Sequence, residues 1–150
     1  MPGTVLAMPS KERAPHHRIL IVDDEESTRL LLARLVSQEL RMDAQLAGTC
    51  EQALRLAAGQ SYDVILLDLM MPGIGGFGVL KEIRAGSRNA ATPIIVVSIV
   101  GDAATIEECK QAGANAYHVK PVRRAELVAT LRTQLATRDR SWTSTSSAAN

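Results

Sequence analysis

The chain has 150 residues, nearly half of them apolar, enough for one domain with a buried core. Its formal net charge of +1 lacks the basic excess of a nucleic-acid binder and the bias expected for acidic substrates. Cys50 and Cys109 have no CxxC spacing, and the most apolar run, "PIIVVSIVG", is far shorter than the roughly 20 residues that span a bilayer. A soluble, cytoplasmic protein with free thiols is therefore expected.

Residues 1–17 carry three prolines and no apolar period, and so predict a flexible arm. The adjacent His16 and His17 suit a solvated pair better than a metal site. Ile19–Val22 is a short apolar strand that runs directly into Asp23, Asp24, Glu25 and Glu26. Leu31, Leu32, Leu35 and Val36 fit the inward face of a helix over about Ser27–Leu40. A weaker strand follows at Ala44–Ala47. Thr49 and Gln52 have the spacing of a capping box for a second helix, which Gly59 can end. The next strand, Val64–Leu69, contains Asp68 between two leucines. Phe77, Leu80 and Ile83 mark a third helix closed by Gly86. Ile94–Ser98 is a strand, and Ile106, Cys109 and Lys110 lie on a fourth helix closed by Gly113. A last strand at Ala116–Val119 precedes a helix carrying Leu127, Val128, Leu131 and Leu135. From Arg138 the Ser/Thr-rich stretch 138–150 has no periodicity and is expected to be disordered, with Trp142 its lone large aromatic. One domain over 18–137 results.

Continuous Val- and Ile-rich runs suit strands buried on both faces. Their alternation with amphipathic stretches predicts an α/β protein, a (βα)5 doubly wound five-stranded parallel sheet. Sites in such sheets form beyond the carboxyl ends of the strands. There stand Asp23, Asp24 and Glu25, then Asp68, Ser98 and Lys120. Singly, each has an ordinary structural role: a helix-start acid, a turn residue, a satisfied hydroxyl, a solvated charge. Together they form a constellation. An acid between Leu67 and Leu69 must find a partner or suffer desolvation. Three carboxylates share a small pocket only with a cation among them. Oxygen-only donors with few protein ligands favour Mg²⁺ over Ca²⁺. Such a cation with the Lys120 ammonium makes a seat for a phosphoryl group. Ser98 can donate to one of its oxygens, and Asp68 is the candidate nucleophile, giving an acyl phosphate.

"ILIVDDEE", "DVILLDLMMPG", "PIIVVS" and "HVKPV" resemble the receiver domain of two-component response regulators, in that family's order and spacing, over about residues 18–137. The resemblance implies a flavodoxin-like fold and a phosphorylation switch of the stand-alone type. It implies that Asp68 is phosphorylated by a sensor histidine kinase or phosphotransfer protein. By the same resemblance Asp23, Asp24 and Asp68, with the carbonyl of Met70, hold Mg²⁺. Ser98 and Lys120 engage the phosphoryl oxygens, Tyr117 is the aromatic switch, and the Lys120–Pro121 bond is cis. Apart from slow loss of its own phosphoryl group, such a domain is no enzyme, and neither membrane nor nucleic acid is a partner. Three positions depart from the family's usual pattern: Gly75 in place of Asp, Gly78 in place of Glu, and bulky Ile99 after Ser98.

"GIGGFG", Gly73–Gly78, matches GxGxxG, but Asp68 and "MMP" come between the strand's apolar run and the first Gly, and no acid follows at ribose-binding distance, so a loop is expected. One rival function is a Mg²⁺-dependent phosphatase with Asp68 as nucleophile. That class would place a second acid where Met70 stands. Another is a receiver-like binding module that works without phosphorylation, against which the intact Asp23, Asp24, Asp68, Ser98 and Lys120 argue. A DNA-binding regulator is disfavoured, because no helix-turn-helix pattern follows Leu135 and Arg123 with Arg124 is a small basic cluster.

Overall fold

In the computed structural model, residues 17–137 and 143–144 are described. Strands and helices alternate in the order β1 (Arg18–Val22), α1 (Glu26–Leu40), β2 (Asp43–Ala47), α2 (Cys50–Gly59), β3 (Val64–Leu67), α3 (Gly75–Arg84), β4 (Ile94–Ser98), α4 (Ala103–Gln111), β5 (Ala116–Val119) and α5 (Arg124–Thr137). All pair in parallel in the order β2-β1-β3-β4-β5, the doubly wound sheet expected from the sequence. A two-residue strand, β6 (Thr143–Ser144), adds to the outer edge of β5. That dipeptide lies inside the stretch expected to be disordered. The rest of that stretch, with Trp142, and the arm up to His16 fall outside the described residues.

The inner strands β1, β3 and β4 have no exposed face beyond Arg18, which is why their sequence runs are continuous. On one side Ile19, Ile21, Leu66, Ile95 and Val97 pack under α1 and α5. On the other, Leu20, Val22, Ile65, Leu67 and Val96 pack under α2, α3 and α4. None of the described helices is long and apolar enough to cross a membrane.

Local chemistry sets the boundaries. Thr49 caps α2 by accepting from the Gln52 N–H at 3.0 Å, while the Gln52 side chain reaches back to the Gly48 N–H. The box therefore closes one residue earlier than the usual reciprocal pair. Asp102 caps α4 through the Thr105 N–H, a cap the sequence reading did not include. Leu31 is corrected. It is 63% exposed, whereas Leu32, Leu35 and Val36 are buried. With 3.6 residues per turn, the run Leu30–Leu32 cannot all face the sheet. The third strand is also shorter than expected, ending at Leu67, so that Asp68 begins the loop. His17 is not merely solvated, since its ring lies 3.7 Å from the Asp63 carboxylate.

A polar network closes the amino-terminal end of the sheet. The Arg84 guanidinium donates to the carbonyls of Gly113, Asn89 and Ala90 and to the side-chain oxygen of Asn115. Asn115 accepts in turn from the Ile94 N–H. The buried Asn89 donates to the carbonyls of Ala57 and Gln60 and accepts from the Tyr62 N–H and the Thr92 hydroxyl.

Candidate functional site

Strand register builds the site. Val22 pairs with Leu67, so Asp23 and Asp68 leave neighbouring strands at one level. Ser98 pairs with Val119, and the Lys120 N–H donates to the Ser98 carbonyl at 2.8 Å. Four strands therefore deliver their first post-strand or last residues to one edge. Of these, Asp23, Asp68 and Lys120 line a cleft of about 470 Å³ with Asp24, Glu25, Met70 and Ile99.

The Lys120 ammonium lies 2.8 Å from Asp23 Oδ2 and 3.5 Å from Asp68 Oδ2. Both carboxylates are almost fully buried. The other Asp23 oxygen accepts from the Glu25 N–H, and its carbonyl accepts from the Arg29 guanidinium. The remaining Asp68 oxygen accepts from the Met70 N–H at 3.2 Å. Burial pushes the Asp68 carboxyl above its usual range, against the pull of the Met70 N–H and Lys120. Burial alone would lower Lys120. The hydrogen bond to Asp23 and the charge of both aspartates outweigh it, and the ammonium titrates above its usual value. Oxygens of Asp23, Asp24 and Asp68 lie within 4.8 Å of one another. Three carboxylates at that spacing, one of them exposed, fit a hard divalent cation that keeps several waters.

The glycine-rich loop acquires a physical explanation. Gly73 and Gly75 have φ of 89° and 74°, in the left-handed region that costs other residues most. At Gly76 a Cβ would lie 1.9 Å from the Asp68 carbonyl oxygen. Its N–H donates to Leu69 at 3.0 Å. The motif thus lets α3 start hard against the loop that carries Asp68, and no strand-to-glycine turn of a dinucleotide site is present there. Gly75, which stands where the resemblance often has Asp, meets the same backbone demand.

Ser98 is fully buried below the cleft, where its hydroxyl accepts from the Val100 N–H at 3.2 Å. Tyr117 is also fully buried, and its phenol donates to the Val100 carbonyl. Burial pushes that phenol up to about 12, with the neighbouring Cys109, Asp102 and Asp68 adding to it. Ser98 and Tyr117 thus hold one loop, residues 99–101, from its two sides. Ile99 projects outward at the cleft mouth, 66% exposed. The Lys120–Pro121 bond is cis. The structure gathers Asp23, Asp24, Asp68, Met70 and Lys120 around the cleft, with Ser98 and Tyr117 beneath it. The sequence reading missed Arg29, whose grip on the Asp23 carbonyl crosses six residues from loop to helix and leaves no pattern in the chain.

Comparison with known proteins agrees with this geometry. A family model described as the response regulator receiver domain matches residues 19–132. The sensory/regulatory protein RpfC of Xanthomonas campestris is 37% identical over 123 residues, 81% of this chain but 17% of that protein. A probable chemotaxis protein CheY of Rhizobium etli is 31% identical over 69% of this chain and 81% of its own length. The chain spans about half or less of most curated relatives it matches, as with the 45% of ResD from Bacillus subtilis. Among solved structures, the receiver domain of the Pseudomonas aeruginosa sensor histidine kinase PA1611 is 31% identical with a TM-score of 0.75, covering 82% of this chain and all of that one. Its magnesium ion is coordinated in the active site cleft. A CheY-like receiver domain from Methanospirillum hungatei, 23% identical with a TM-score of 0.75, covers 81% of this chain and 95% of its own, and shares the fold. Five parallel strands, acids gathered at their carboxyl ends and a family match across nearly all the described chain lead to one assignment: the protein belongs to the response regulator receiver domain family.

Proposed function

We propose that Asp68 accepts a phosphoryl group and that the chain works as a phosphorylation-controlled switch in a two-component or phosphorelay pathway. One observation carries the reading. The Asp68 carboxylate is buried at an open cleft, one oxygen held by the Met70 N–H and the other facing an ammonium that is itself anchored on Asp23. A nucleophile so placed meets a donor phosphorus with its charge balanced and its orientation set.

The donor would be a phosphohistidine of a sensor histidine kinase or phosphotransfer protein. An Asp68 oxygen forms the new P–O bond, the donor P–N bond breaks, and its electron pair stays on the imidazole, which takes a proton from solvent. Asp23, Asp24 and Asp68, with the Met70 carbonyl, would hold Mg²⁺, which when bound offsets the charge of the phosphoryl oxygens. Lys120 follows one of those oxygens, and the Ser98 hydroxyl turns to donate to another. Ser98 then releases the Val100 N–H, so the loop it shares with Tyr117 is free to rearrange. The product carries more negative charge and three acceptor oxygens in place of a simple carboxylate. The readout is a change in protein–protein contacts in the cytoplasm, with neither lipid nor nucleic acid involved.

The test is intact mass after incubation with a small phosphodonor, with and without Mg²⁺. One phosphoryl group should add in the presence of Mg²⁺, much more slowly without it, and not at all in Asp68→Asn. Incorporation at the native level in Asp68→Asn would sink the assignment.

A further inference from the structure

Arg29 lies at the start of α1, where its N–H donates to the Glu25 carbonyl at 3.1 Å. The residue is half-buried, and its guanidinium carries a full charge and five donors. Among the described residues it forms no ion pair, although Asp23 is its neighbour. Both Asp23 carboxylate oxygens are already taken, one by Lys120 and one by the Glu25 N–H. Arg29 donates instead to the Asp23 backbone carbonyl at 2.7 Å, a short charge-assisted bond.

The wall behind the guanidinium is the turn between β2 and α2. A Cβ on Gly48 would lie 2.7 Å from Nη1 of Arg29 and 3.2 Å from its Cζ. The Gly48 backbone lies outside the left-handed region, so its conformation is open to any residue. What glycine supplies here is room for Arg29. The turn itself is firmly held. The Gly48 N–H donates to the Gln52 side chain, Thr49 caps α2, and the Cys50 thiol donates to the Pro72 carbonyl, two residues past Met70. The Asp23 N–H donates to the Ala47 carbonyl at 3.1 Å. Asp23 is thus tied to this turn twice, by its N–H directly and by its carbonyl through Arg29.

Asp24 shows why that matters. It is exposed, and its carboxylate has no hydrogen-bond partner among the described residues. Yet one of its oxygens lies within 4.8 Å of oxygens of Asp23 and Asp68. No side-chain contact holds it there, so its place is set by the backbone that carries it. A peptide unit is planar, and fixing the Asp23 carbonyl fixes the plane from which the chain enters Asp24. We propose that Arg29 is a positioning residue for the cation site, locking the Asp23–Asp24 peptide so that both carboxylates converge with Asp68, and that Gly48 provides the space it needs. The inference rests on the reading of Asp23, Asp24 and Asp68 as the carboxylates that hold Mg²⁺.

The test is Mg²⁺ titration of the full, unphosphorylated chain, followed by calorimetry and by backbone amide spectra. Arg29→Met should weaken Mg²⁺ binding about tenfold. Charge alone predicts the opposite sign, since a guanidinium near a cation repels it. Gly48→Ala keeps that charge but displaces the tip of the arginine, and should weaken binding by a similar factor. The double variant should bind as either single one does, because both changes remove the same contact. Without metal, amide exchange at Asp23 and Glu25 should quicken several-fold in both single variants, with exchange in β3 and β4 unchanged. Asp24→Ala separates the two claims. If it binds Mg²⁺ as the native chain does, the ligand set is wrong and this inference falls with it. If it loses Mg²⁺ while Arg29→Met binds at native strength or tighter, the positioning role alone is overturned. Additive effects in the double variant, or unchanged exchange at Asp23 and Glu25, would overturn that role as well.

Discussion

Ile99 is where a single side chain bears most directly on the proposed chemistry. It follows Ser98 in the chain, yet it points out of the core and stands at the mouth of the cleft over Asp68. Its branched side chain is stiff at χ1 and cannot easily swing aside. In-line attack on an acyl phosphate needs an open path, and so does an incoming donor. Ile99→Ala should therefore speed phosphorylation by a small donor and shorten the lifetime of phosphorylated Asp68, each by several-fold. Stability should change by less than about 0.5 kcal/mol, as for an exposed site, against roughly 2–5 kcal/mol for a buried isoleucine. Stopped-flow phosphorylation, decay kinetics and a melting curve check all three. The acids and the lysine were legible in the sequence because buried charge at strand ends is conspicuous. Leu31 was misplaced because three consecutive leucines blur the helical period. Arg84 left no mark, since its surroundings come from segments far apart in the chain.

At the scale of elements, the junction between β3 and α3 depends on absence of a side chain. A Cβ on Gly76 would press into the Asp68 backbone. Gly76→Ala should cost about 2–3 kcal/mol and slow phosphorylation, because the loop must shift. Gly59, at the end of α2, has nothing within 4 Å of its would-be Cβ. Gly59→Ala should instead stabilise by up to about 1 kcal/mol. Paired melts of the two variants test the contrast. The packing of α5 on β5 carries a pH dependence of its own. Burial lowers the His118 pKa, with Glu126 pulling the other way. A depressed histidine stabilises the fold above its unfolded pKa of about 6.5, and that contribution is lost as pH falls toward the folded value. His118→Gln should flatten the drop in melting temperature between about pH 7.5 and about pH 5.5. An unchanged drop would show that other groups carry it. The order of elements was readable from the sequence because each buried strand is a continuous run. The two-residue β6 was not, since a dipeptide has no period.

For the molecule as a whole, the two ends of the sheet differ in what holds them. At the carboxyl end, buried carboxylates share one ammonium around an open cleft. At the amino end, Arg84, Asn89 and Asn115 tie helix ends, loops and strand starts together. Asn89→Ala removes four such bonds and leaves buried carbonyls and an N–H unpaired, so it should cost about 2–4 kcal/mol. The phosphorylation rate should stay near native, which urea melts and donor kinetics check together. The consequence is a separation of timescales within one small body. Opening the cleft end need not break the amino-end clamp, so its loops can rearrange in microseconds to milliseconds while the clamped end opens only with global unfolding. Amide exchange should grade along each inner strand, slowest beside Asn115 and fastest beside Asp68. A bound partner would then meet a surface that moves on a base that does not.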